Sequence, residues 1–198
     1  MVGIEVSQYL YGTILKGEDN GTTAAILSTV VYSPGTFFPD ELTGHLETDA
    51  TIWNNIRHPD LRRQVQNFLF KAMSGALRIG DFWSKIPTYE HRTNCTHCPD
   101  ALETLDHILT ECTHPATCLI WNLVKQKWPN NEHNWPNLHQ GHILGCGSIQ
   151  PNTDNDNEDN MGKKRGVARL KQILLSELAY LIWTLCCERT IVGTTYPQ

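Results

Sequence analysis

The chain has 198 residues, 40% of them hydrophobic and 19% charged, and 16 Lys or Arg stand against 21 Asp or Glu for a net charge of −5. One hydrophobic core is ample at this length, so a single domain with appendages is expected. The overall balance is unlike that of a free-standing nucleic-acid binder, which usually carries a strong basic excess. The charge is uneven, however. Residues 1–52 hold one Lys and seven acids, whereas residues 53–92 hold seven Lys or Arg against three acids. Residues 93–147 are again acidic, and residues 148–198 balance.

Residues 1–20 lack the positive start and apolar run of a secretory signal. Residues 24–32 are apolar and β-branched, which suits a strand or a packed helix. The following Ser33-Pro-Gly-Thr-Phe-Phe-Pro39 must be irregular, because two prolines flank a glycine and two aromatics. Residues 1–50 therefore read as an irregular N-terminal connector, with Phe37 and Phe38 packing on a helical body.

From Asp49 the pattern turns helical. Asp49 can cap a helix carrying Ile52, Trp53 and Ile56, which Pro59 closes. Asp60 can cap the next, in which Leu61, Val65, Phe68, Leu69, Ala72, Met73 and Ala76 recur at helical spacing on one face. Arg62, Arg63 and Lys71 fall elsewhere on its circumference. Together with Arg57, Arg78, Lys85 and Arg92 they form either a solvated face or a phosphate-contacting surface. Residues 80–83 and 86–89 read as a bend whose aromatics, Trp83 and Tyr89 included, serve packing or base stacking.

The densest chemistry follows. Cys95, Cys98, His107 and Cys112 form a C-x2-C-x8-H-x4-C pattern within eighteen residues. Three thiols and an imidazole are a tetrahedral donor set for zinc. Residues 104–111 look helical, placing His107 near the middle and Cys112 at the end. Five residues of α-helix turn through about 500°, a net of about 140°, so the helix must fray before Cys112. His97, His114 and Cys118 lie close enough in sequence to stand in for a ligand. A redox pair is disfavoured because residues 90–94 are too polar for the preceding strand. Seven cysteines and no visible secretory signal disfavour a disulfide framework.

Pro115 opens a further helix, with Ala116, Leu119, Ile120, Leu123, Val124 and Lys127 on its inner stripe and Trp121 and Trp128 at its edges. His133, His139, His142 and Cys146 match no common ligand spacing. Residues 148–166 read as a mobile acidic, Asn-rich linker, since 152–160 cannot bury enough apolar surface to offset its ordering entropy. Lys163-Lys-Arg165 is a short basic cluster of the kind that directs nuclear entry or touches nucleic acid. Residues 167–198 then carry a C-terminal amphipathic helix with Leu170, Ile173, Leu174, Leu178, Leu181, Ile182 and Leu185 in step. The apolar stretch 173–187 is too short to span a bilayer and carries Glu177. No membrane partner is expected. Cys186 and Cys187 read as buried thiols.

The residues from Asn67 to Trp83, the Cys/His cluster, Cys118-Leu-Ile-Trp121, Gly145-Cys-Gly147 and the helix from Leu170 to Trp183 together resemble the zinc-binding domain that follows reverse transcriptase. The likeness is to the C-terminal parts of fungal retroelement polyproteins, where that domain follows ribonuclease H. It covers roughly residues 51–190 and leaves the first fifty unmatched. The resemblance implies a mainly α fold, residues 51–147 being a small helical domain stabilised by a Cys3His zinc knuckle. It also implies binding of RNA or DNA beside reverse transcriptase and ribonuclease H domains, inside the cell. Clustered carboxylates for two magnesium ions, which those enzymes need, are not visible here. The chain is therefore expected to be non-catalytic. The alternative is an interaction domain whose zinc only holds the fold.

Overall fold

The computed structural model describes residues 49–128, 135–151 and 158–192. Expectations for residues 1–48, for His133 and for the linker centre at 152–157 lie outside them. Among the described residues the architecture is helical, with a single isolated antiparallel bridge and no strands. Six α-helices are present among the described residues: α1 (Asp49–Asn55), α2 (Arg63–Met73), α3 (Asp81–Ser84), α4 (Pro115–Lys127), α5 (Gln140–Leu144) and α6 (Glu158–Val192). A π-helical turn, His107–Glu111, a short 3-10 segment, Glu90–Arg92, and a 3-10 turn, Cys146–Ser148, are the other described elements.

The 35-residue α6 is the spine against which α2, α4, α5, the π turn and the 3-10 turn all pack. Its buried residues are Ala168, Gln172, Leu175, Ser176, Ala179, Ile182 and Cys186, most of them alternating three and four apart. That spacing draws one seam along a helix. Three of the seven are Ala or Ser, which lets the neighbouring elements approach closely. The expected stripe was rotated away from this seam: of its residues only Ile182 is fully buried, and Leu170 and Leu181 are exposed. The reason is that between Ile173 and Cys187 α6 is apolar around most of its circumference, so periodicity alone could not choose a face. Gln172 is inside because its amide has work there, donating to the carbonyls of Gly147 at 3.3 Å and Ile149 at 3.1 Å.

Other boundaries also move. Residues 141–149 are buried without a break, so the body continues through Ser148 and Ile149 where the linker was expected to start. α6 begins at Glu158 and not at 167. It is long and apolar enough, from Met161 to Ile191, to cross a membrane by length and composition, contrary to the short span read from the sequence. Its inner seam nevertheless lies in the core, and its Glu177 pairs with Arg62.

α2 buries Val65, Phe68, Leu69, Ala72 and Met73 as its pattern demands. Ala76 is exposed, because Gly75 turns left-handed at φ 63° and ends the helix. Asp60 does not cap α2. It meets Arg169 of α6 instead, at 2.9 Å. α4 buries Thr117 and Val124, with Trp128 buried just past its end, while Leu119 and Leu123 of the expected stripe are 59% and 51% exposed. The indole of Trp121, which donates to the Leu109 carbonyl at 2.6 Å, and the buried Trp128 set this helix's rotation. Gly147 marks the tightest approach: a Cβ there would lie 2.2 Å from the Asn55 carbonyl oxygen at the end of α1.

Candidate metal centre

The knuckle begins as a narrow loop. Asn94 bridges Leu102, the Cys95 amide donates to the Ala101 carbonyl at 2.8 Å, and the Glu103 amide donates to the Thr93 carbonyl at 2.9 Å. Asp100 closes the loop at φ 62°, a left-handed conformation that Asp tolerates better than most residues. Within it the Cys98 amide points at the Cys95 sulfur, 3.4 Å away. Such an amide stabilises a thiolate.

The second half of the site comes from the π turn. Thr104 accepts from the His107 amide at 3.0 Å and starts the helical segment. The Cys112 amide then donates to the His107 carbonyl at 2.8 Å, a bond from residue i to i+5. The widened turn brings Cys112 back over His107. The expected fraying of an α-helix is thus replaced by one π turn, which removes most of the rotational mismatch. Its position is fixed from outside by Asp106, which accepts from the Gln140 amide at 3.0 Å and the Thr110 hydroxyl at 2.9 Å.

Cys95, Cys98, His107 and Cys112 converge, with one potential ligand atom from each all within 4.8 Å of one another. The Cys112 sulfur lies 3.9 Å from both Cys95 and Cys98 sulfurs. A tetrahedron with metal–sulfur bonds of about 2.3 Å requires sulfur separations of about 3.8 Å. His107 is buried, and its Nε2 has no hydrogen-bond partner among the described residues. Its Nδ1 lies 3.7 Å from a Glu111 carboxylate oxygen, beyond direct hydrogen-bond reach. An orphaned ring nitrogen beside three converging thiols fits a metal ion.

The thiols are not equivalent. Burial pushes Cys112 up to about 12 and also raises Cys95. The Thr113 hydroxyl, 3.3 Å from its sulfur, and then the Thr113 amide bring Cys98 down to about 7. A bound divalent ion would deprotonate all three outright.

The neighbouring donors have other roles. His114 Nδ1 accepts from the Ala116 amide at 3.2 Å and caps α4, and its ring packs edge-on against His97. Burial lowers its pKa. Cys118 is exposed on α4. His139 and His142 cap α5 reciprocally, and burial raises the Cys146 thiol to about 12. Behind the ligands, Glu103 is buried and accepts from the Cys186 thiol at 3.1 Å, joining the knuckle to α6. Sequence reading missed Glu103, because a single acid in a knuckle loop carries no periodic signal.

The basic residues disperse. Arg62 is bound to Glu177. Arg57 and Arg63 are exposed along a groove between α1 and α2. Lys71 and Lys85 are exposed elsewhere. Arg78 lies over the Phe82 ring at 5.5 Å, and Arg92 lies over the rings of Trp83 at 5.3 Å and Tyr89 at 4.8 Å. Phe82 and Tyr89 are each 41% exposed, so this bend presents an aromatic surface with guanidinium groups upon it. It abuts the knuckle, since a Cβ at Gly80 would lie 3.1 Å from the Glu103 carbonyl.

No protein-family model, no curated protein and no solved structure matches this chain.

Proposed function

We propose that this chain is a non-catalytic, zinc-binding helical module that binds single-stranded nucleic acid, derived from the C-terminal part of a retroelement reverse transcriptase and ribonuclease H polyprotein. Zinc is favoured over other ions because three thiolates and an imidazole are soft, tetrahedral donors. A closed set of four protein ligands suits a structural site, since a catalytic zinc keeps a position open. The hollow between the site and α6 measures only about 10 Å³, too little for a substrate.

The observation that carries nucleic-acid binding is the surface of Phe82, Trp83 and Tyr89 with Arg78 and Arg92 upon it. Single strands are held by base stacking on aromatic rings and phosphate contacts from cations. Anisotropy of a labelled 20-nucleotide RNA and its DNA equivalent, titrated with the zinc-loaded protein across a salt series, tests the reading. Binding should weaken with salt, and Phe82→Ala with Tyr89→Ala should weaken it about tenfold or more. Salt-independent or absent binding overturns it.

A second reading, a protein-interaction module held by zinc, is favoured by Leu119 and Leu123, which lie one turn apart on α4 and are mostly exposed. Concentration-dependent self-association abolished by Leu119→Asp would favour it.

A further inference from the structure

We propose that the groove between α1 and α2 is a nucleotide subsite that takes one unstacked base of a single strand on Trp53, with its two flanking phosphates on Arg57 and Arg63. This rests on the nucleic-acid reading above but concerns a different surface. The groove encloses about 620 Å³ and is lined by residues of both helices and the turn following α1. That volume is in the range of small-molecule sites.

Its chemistry is one-sided. Two exposed guanidinium groups line it, and no Asp or Glu is among its lining residues that the structure describes. Trp53 forms an aromatic wall, half-buried, with Phe70 tilted against it at 5.6 Å between ring centroids. The Trp53 indole Nε1 is buried without an acceptor among the described residues. Gln64 and Asn67 are exposed and offer both donors and acceptors at the rim. Gln66 is spoken for, its amide donating to the carbonyls of Leu61 at 2.9 Å and His58 at 3.2 Å. An aromatic face, amides able to read a base edge and a paired cation for phosphate are the three elements of single-strand recognition. Arg62, next to Arg63 in sequence, is excluded from this role by Glu177.

The test uses the full zinc-loaded chain and a 12-nucleotide RNA carrying one 4-thiouridine, cross-linked by light and mapped by mass spectrometry. Anisotropy across a salt series runs in parallel. The cross-link is expected within residues 53–70. Arg57→Ala with Arg63→Ala should reduce affinity about tenfold and flatten the logarithmic salt slope by about 1.4, two phosphate contacts at about 0.7 each. Both side chains are exposed, and zinc content with the melting curve reports that the variant is folded. Cross-links confined to residues 82–92, with unchanged binding by the double variant, overturn the subsite and leave the nucleic-acid reading standing. A total absence of RNA binding by the unmodified protein overturns both. Equal affinity for a polyglutamate of matching charge also overturns the subsite, because the groove would then recognise charge without a base.

Discussion

The Arg62 guanidinium holds both carboxylate oxygens of Glu177, its Nε lying 2.7 Å from one and 2.9 Å from the other, with Nη2 closing the fork. Its plane also approaches the Tyr180 ring at 6.0 Å. The pair ties the residue before α2 to the middle of α6, and the carboxylate raises the arginine pKa. A cation so engaged is not available to phosphate. Arg62→Ala should therefore leave the salt slope of RNA binding unchanged, while Arg63→Ala lowers it by about 0.7. Equal loss from both variants would show that the ion pair opens on binding.

Zinc should copurify at one equivalent, and Cys112→Ser should lose both the metal and the cooperative melt, because structural zinc binding is coupled to folding. Elemental analysis beside circular dichroism measures both. A folded, metal-free variant would contradict the assignment.

Acid should release the metal. Burial raises the thiols of Cys95 and Cys112 above their ordinary value, so without metal they hold their protons at neutral pH. Zinc must displace those protons, and its apparent affinity therefore rises with pH. Each proton displaced contributes about tenfold per pH unit below the thiol pKa. Competition with a chromophoric chelator between pH 6 and 8 reads the slope, and a flat profile would refute the proton displacement.

The seam of α6 predicts a sharp contrast between two leucines. Leu175 is fully buried, whereas Leu181 is 40% exposed. Leu175→Ala should destabilise the protein by about 2–5 kcal/mol. Leu181→Ala should stay within about 0.5 kcal/mol, as surface substitutions usually do. Denaturant melts of the two zinc-loaded variants decide it.

Glycines divide in the same way. Gly147→Ala forces its new methyl against the Asn55 backbone and should cost about 1–3 kcal/mol, the usual range for overpacking. Around Gly162 and Gly166 of α6 nothing lies within 4 Å of an added Cβ. Alanine at either should stabilise the helix by about 0.5–1 kcal/mol. Thermal melting under saturating zinc separates the two effects.

Local chemistry was legible without a fold. The cluster of Cys95, Cys98, His107 and Cys112, which could hold a metal ion, was readable because thiols and imidazoles at short spacing have few other uses, and the pattern needs no distant partner. The start of α4 and the buried face of α2 through Met73 were equally plain, since Pro115 and the spacing of Val65, Phe68, Leu69 and Ala72 are local signals.

What faces what had to come from the tertiary structure. Between Ile173 and Cys187 α6 is apolar on most sides, so only packing against Phe68, Gly147 and the π turn could select the Leu175–Ile182 seam over the Leu178–Leu181 side. The π turn was invisible for a related reason: five residues between His107 and Cys112 suit one widened turn, but its stability comes from Gln140 and Trp121, both remote in sequence. Arg62 and Arg63 are neighbours of one residue type, and a composition count cannot tell them apart. Glu177, 115 residues away from Arg62, separates them by sequestering one charge and leaving the other at the groove.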